Sequence, residues 1–71
     1  MENYVYLVVF VLEGNETKGN GSIYKEGFIE KENVEKVVEE IENEFMEDFD
    51  GYEVLNPLDV MKKGGICNFN W

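Results

Sequence analysis

The residues of this chain that could do chemistry are lysines, aromatics and a large excess of carboxylates. Lys62-Lys63-Gly64-Gly65 offers two ammonium groups and free backbone amides, a combination suited to an anion. Tyr4, Tyr6, Tyr24, Tyr52 and Trp71 supply faces on which a base could stack. Brought together, these groups would make a small nucleotide pocket, with Lys62, Lys63, Tyr4, Tyr6, Tyr24 and Trp71 as its lining. The same aromatics serve equally well as core or interface. A second constellation is Glu35, Glu39, Glu40 and Glu42, followed by Glu47 and Asp48. Together they would make a negative surface able to imitate a phosphate backbone and occupy a nucleic-acid channel on a basic partner. The plain alternative is a solvated face that keeps the chain soluble. Acids at a helix C-terminus oppose its dipole, each costing about 0.3–1 kcal/mol, so their placement here is a hint of function.

Catalytic equipment is sparse. Histidine is absent, so no side chain is an unperturbed proton shuttle near neutral pH. All six bases are lysine, which leaves no guanidinium fork for phosphate or carboxylate. Cys67 is the lone cysteine and has no histidine to activate it; a small core residue is the expectation. Carboxylates are too abundant for one acid–base couple to stand out. Zinc sites need cysteine and histidine. Glu44, Glu47, Asp48 and Asp50 are a conceivable carboxylate set for Ca²⁺ or Mg²⁺. Asp48-Phe49-Asp50-Gly51 resembles the middle of an EF-hand loop, but Met46 stands at the first ligand and Pro57 at the closing glutamate. Gly19-Asn20-Gly21 completes neither a dinucleotide fingerprint nor a P-loop. The expectation is a non-catalytic protein with no metal and no cofactor.

Sixteen acids against six lysines give a net charge of −10. Such a field repels nucleic acids and anionic membranes, whose binding rests on cations meeting phosphate, and suits a basic partner surface. The longest apolar run, Tyr4 to Leu12, is too short to cross a bilayer as a helix. The acidic start Met1-Glu2-Asn3 and the single thiol fit a reducing, cytoplasmic setting. The sequons at Asn15 and Asn20 would then carry no glycan.

At 71 residues the chain reads as one domain, 1–71, with a marginal core. Tyr4 to Leu12 is β-branched and aromatic throughout, the mark of a strand. Tyr4, Tyr6, Val8, Phe10 and Leu12 line one side; Val5, Leu7, Val9 and Val11 line the other, so both sides need cover. Glu13 to Gly21 reads as a loose hairpin connection and Ser22 to Ile29 as the second strand, with Gly27 marking a bulge or a close approach. Val34, Val37, Val38, Ile41, Phe45 and Phe49 predict an amphipathic helix of roughly 17 residues, stopped at Gly51. Gly51 to Leu55 follows as a short strand, closed by Asn56-Pro57. Leu58 to Met61 is either a turn of helix or an edge strand, and the alternation in Ile66 to Trp71 favours a final strand.

The fold class is therefore α+β: a small antiparallel sheet with one amphipathic helix packed on one face, ββαβ plus a C-terminal strand. One helix covers one face, and a second copy of the chain is the expected cover for the other. The alternative is a tail that folds back over it.

The pattern resembles small ββαβ accessory proteins of phages and prophages of low-GC Gram-positive bacteria. The features shared are the aromatic-rich first strand Tyr4-Val-Tyr-Leu-Val-Val, the Gly19-Asn-Gly21 entry to the second strand, the acidic helix, and Val54-Leu55-Asn56 at a strand end. The likeness spans residues 4 to about 60. It departs at Pro57, where an aromatic residue is usual, and in the tail from Met61 to Trp71. It implies an anti-defence role in an infected cell, with no residue-level function attached. Two mechanisms follow: a sponge that sequesters a small nucleotide immune signal at a homo-oligomer interface, or an acidic nucleic-acid mimic that inhibits a basic host defence protein, as anti-CRISPR proteins do. A structural or regulatory interaction protein is the third.

Overall fold

The computed structural model describes residues 3–62 and 71. Five elements follow one another along the chain: β1 Tyr4–Val11, β2 Ser22–Glu30, α1 Val34–Phe45, β3 Phe49–Leu55 and α2 Pro57–Lys62. Single 3₁₀ turns, Lys31–Asn33 and Met46–Asp48, enter and leave α1. The sheet is antiparallel throughout, in the order β2-β1-β3. This is the α+β fold with a helix packed on an open antiparallel sheet.

β1 is apolar on both sides because it is the central strand of a sheet covered on both sides. Leu7 and Val9 are fully enclosed, and pack with Ile29, Val34, Val38 and Ile41 beneath α1. Tyr6 and Val8, pointing the other way, form a second cluster with Phe28. Burying each such side chain is worth about 1.5–3 kcal/mol, so β1 anchors the structure.

The helix is shorter than its apolar stripe implies. α1 has 12 residues and ends at Phe45, because Met46 adopts φ 52°. That conformation costs a non-glycine residue of order 1–3 kcal/mol, and methionine carries no stop signal in sequence. Phe49 continues the helical spacing but begins β3 and packs against the core under α1. Gly51 is no helix stop; it lies inside β3 at φ 100°, where Asp50 and Gly51 together face the single Phe10 as a bulge.

β2 has its own irregularity, and it falls at Tyr24 rather than Gly27. Val9 pairs with Lys25 and Phe10 with Ile23, leaving Tyr24 as the extra residue. A bulge of this kind moves side chains to the other face. Tyr24 thereby joins the α1 side, its ring 4.8 Å from that of Phe45 in an edge-on contact, while Ile23 pairs with Phe10.

The reverse face takes its cover from the segment that follows β3. Leu58 to Met61 is helical, and Val60 of α2 packs against the Tyr6, Val8 and Phe28 cluster. Those three residues are buried within one chain, at 6%, 6% and 2% exposure. The helix starts where Asn56 caps it: the Asn56 side-chain oxygen accepts from the Leu58 amide at 2.9 Å, and its carbonyl accepts from Asp59 and Val60. Pro57 occupies the first helical position, where a missing N–H costs nothing. The cover for Tyr6, Val8 and Phe28 is thus a folded-back segment of the chain, the alternative to a second copy that the sequence left open. The expected strand Ile66 to Trp71 lies outside the described residues except for Trp71, which is not in a strand.

Candidate functional site

α1 forms because its apolar side chains recur on one face, and the same spacing dictates where its acids go. Val34, Val38 and Ile41 point into the core, with Val37 and Phe45 at its margin. On the β2 flank of the helix, Val37 and Glu40 lie beside Tyr24, Lys25 and Trp71, and Lys36 joins them one turn earlier. At about 100° per residue, Glu35, Glu39 and Glu42 must fall on the opposite flank, toward β3. All three are exposed, as are Glu47 and Asp48 in the turn that follows. The sheet order then makes this flank the one overlooking β3, which α1 also touches. The acidic surface read from sequence is therefore real but divided, since Glu40 turns to the lysine-bearing side.

The residues expected to line a nucleotide pocket do not converge. Tyr4 and Tyr6 lie on the reverse face with Phe28 and Val60. Tyr6 is buried, and its hydroxyl donates to Glu26 Oε1 at 2.6 Å. Burial, assisted by that carboxylate, pushes the phenol up to about 12. Tyr24 and Trp71 sit across the sheet beside α1. The Trp71 indole N–H reaches the carbonyls of Gly27 and Leu7, at 3.1 and 3.3 Å, and Lys25 Nζ lies 5.3 Å from its ring centre. Lys62 is the exposed last residue of α2, and Lys63 lies outside the described residues. Tyr52 is half exposed on β3 opposite Val9.

Two further acids are committed to structure. Asp50 accepts from the amides of Gly19 at 2.8 Å and Gly21 at 2.7 Å, and these bonds hold its carboxyl below the ordinary aspartate value. The glycine pair too incomplete for a phosphate loop is thus an anion cradle for a carboxylate of its own chain. A side chain at residue 21 would collide with Asp50 and with the Val11 carbonyl, at 2.6 and 2.7 Å, which explains the glycine. Lys18 adds a bond to the Phe49 carbonyl at 2.7 Å. Glu16 accepts from Ser22 Oγ at 2.5 Å and from the Glu13 amide at 2.7 Å, and is likewise lowered, chiefly by the Ser22 bond. Asp50 is therefore unavailable to the carboxylate set considered for a cation. Among the described residues no group of three or more potential ligands is placed to hold a metal.

One feature was not read from sequence. Tyr4, Val5, Lys31, Val54, Leu55, Asn56, Pro57 and Leu58 enclose a groove of about 600 Å³ at the end of β3. Val54, Leu55 and Leu58 remain substantially exposed along it. The signal available was an aliphatic pair placed directly before Asn-Pro, on a strand that topology leaves at an edge.

No described helix is long and apolar enough to cross a membrane. Compared with protein-family models, curated proteins and solved structures, the chain matches none.

Proposed function

We propose that this chain is a non-catalytic binding protein whose acidic α1 flank docks on a basic surface of another protein. The observation that carries the reading is the exposure of Glu35, Glu39 and Glu42 on the side of α1 away from Lys25, with Glu47 and Asp48 exposed in the turn that follows the helix. These acids are exposed, and together with a net charge of −10 they suit a surface built to receive a basic partner. The likeness of residues 4 to 60 to small phage proteins points to a nucleic-acid-binding bacterial defence effector as the partner.

The test is a titration of the chain against purified nucleic-acid-binding defence nucleases of bacteria. The expected result is binding that competes with nucleic acid and weakens steeply between about 50 and 200 mM salt. The triple change Glu35→Lys/Glu39→Lys/Glu42→Lys should cost about tenfold or more, while Glu40→Lys on the other flank costs far less. Equal loss from both variants, or none from the triple, would remove the reading.

A second reading, sequestration of a small nucleotide, is favoured by the groove beside Tyr4 and Lys31, whose volume of about 600 Å³ is of ligand size. It draws less support because Glu30 and Glu32 crowd the neighbouring hollow around Tyr4 and Lys31. Saturable one-to-one nucleotide binding, abolished by Lys31→Glu, would promote it over the first.

A further inference from the structure

The two outer strands differ in how they are finished. β2 carries the Tyr24 bulge and Lys25, and β3 carries a bulge of its own only at its start, at Asp50 and Gly51. Bulges, lysines and covering residues are the devices by which sheets blunt an edge. From Tyr52 to Leu55, β3 has none of these: it pairs regularly with β1 on one side, and on the other no described strand lies beside it. Tyr52 and Val54 are 46% and 48% exposed on the α1 side, and Leu55 is 39% exposed on the reverse side. The groove with Leu58 and Pro57 opens at the strand's end. Acids flank the edge on both sides, Glu35, Glu39 and Glu42 from the helix and Glu53 from the strand itself.

We propose that the outer edge of β3, beside which no described strand lies, is a strand-addition site for an extended partner segment that alternates basic and apolar residues. Backbone pairing would supply affinity, the groove would take an apolar side chain, and the acidic flank would select lysine or arginine. Charge decides the occupant: a second copy would bring −10 against −10, whereas a cationic strand meets Glu35, Glu39, Glu42 and Glu53, and its apolar residue takes the groove end where Lys31 stands. The inference rests on the docking reading above and adds the mode of contact.

The probe is a short alternating Lys-Val peptide, compared with the same peptide N-methylated at alternate amides. Both have the same charge; only the first can donate a full ladder of hydrogen bonds. The expected result is binding at least about tenfold tighter for the unmethylated form, with backbone amide shifts at Tyr52 to Leu55. Val54→Lys, at an exposed position, should weaken it with the circular dichroism unchanged. Equal affinity of the two peptides overturns strand addition while leaving acidic docking intact. Failure of both to bind also overturns it, and the nuclease titration then judges docking by itself. Concentration-dependent shifts at the same residues without peptide would assign the edge to a second copy and contradict the proposal.

Discussion

The two faces of this sheet are closed by unequal means. Beneath α1, three residues of a 12-residue helix pack on Leu7, Val9 and Ile29. On the reverse face, a six-residue helix sets Val60 against Tyr6, Val8 and Phe28. Yet the strand residues are similarly hidden on both. The difference teaches that a strand apolar on both sides does not require a partner molecule. A short capped helix, placed by Asn56 and Pro57 directly after the edge strand, contributes the cover that self-association was expected to give. Burying its tyrosines in this way also takes Tyr6 out of contention as a ligand-stacking residue.

The largest test of this contrast is truncation of the buried layers. Leu7→Ala on the α1 side should cost about 2–5 kcal/mol in denaturant unfolding, since it leaves a cavity in a fully enclosed cluster. Val60→Ala should cost about 1 kcal/mol, in keeping with a half-buried side chain on a short helix. A Val60→Ala variant as stable as the parent would mean that α2 does not hold the reverse face.

A smaller effect separates the faces by pH. Tyr6 has its phenol raised from 10.0 to about 12 by burial and by Glu26. Across that window the folded chain keeps a proton that the unfolded chain has lost, so stability falls as pH rises from 10 toward 12. Tyr6→Phe should therefore show a shallower alkaline limb in its stability profile. An unchanged limb would indicate that the hydroxyl is not enclosed.

Much of the fold was legible because it rests on periodicity. The two-sided apolar β1 and the stripe Val34, Val38, Ile41 are simple repeats, and the structure follows them. The helix end was not legible. Phe49 keeps the helical spacing and Gly51 is an ordinary stop, while the actual break is at Met46, a residue with no preference for positive φ. The bulge in β2 was missed for a related reason: Gly27 was the composition signal, while the extra residue is Tyr24, which leaves no mark in composition. For the site, exposure of the acids could be read from the spacing of the core residues. Their division into two flanks needed the sheet order, which says that Glu40 and Lys36 lie over β2 and Glu35, Glu39 and Glu42 toward β3. The separation of the tyrosines could not be read, because Tyr4 and Tyr6 share the reverse face while the bulge turns Tyr24 to the α1 side.

Docking by the acidic flank and the β3 edge requires that one chain enclose both sides of its own sheet. Sedimentation equilibrium at high protein concentration and moderate salt tests this most directly. The expected result is the mass of a single 71-residue chain at every concentration. A mass of two or more chains, persisting on dilution, would contradict it and return the sheet to a shared interface.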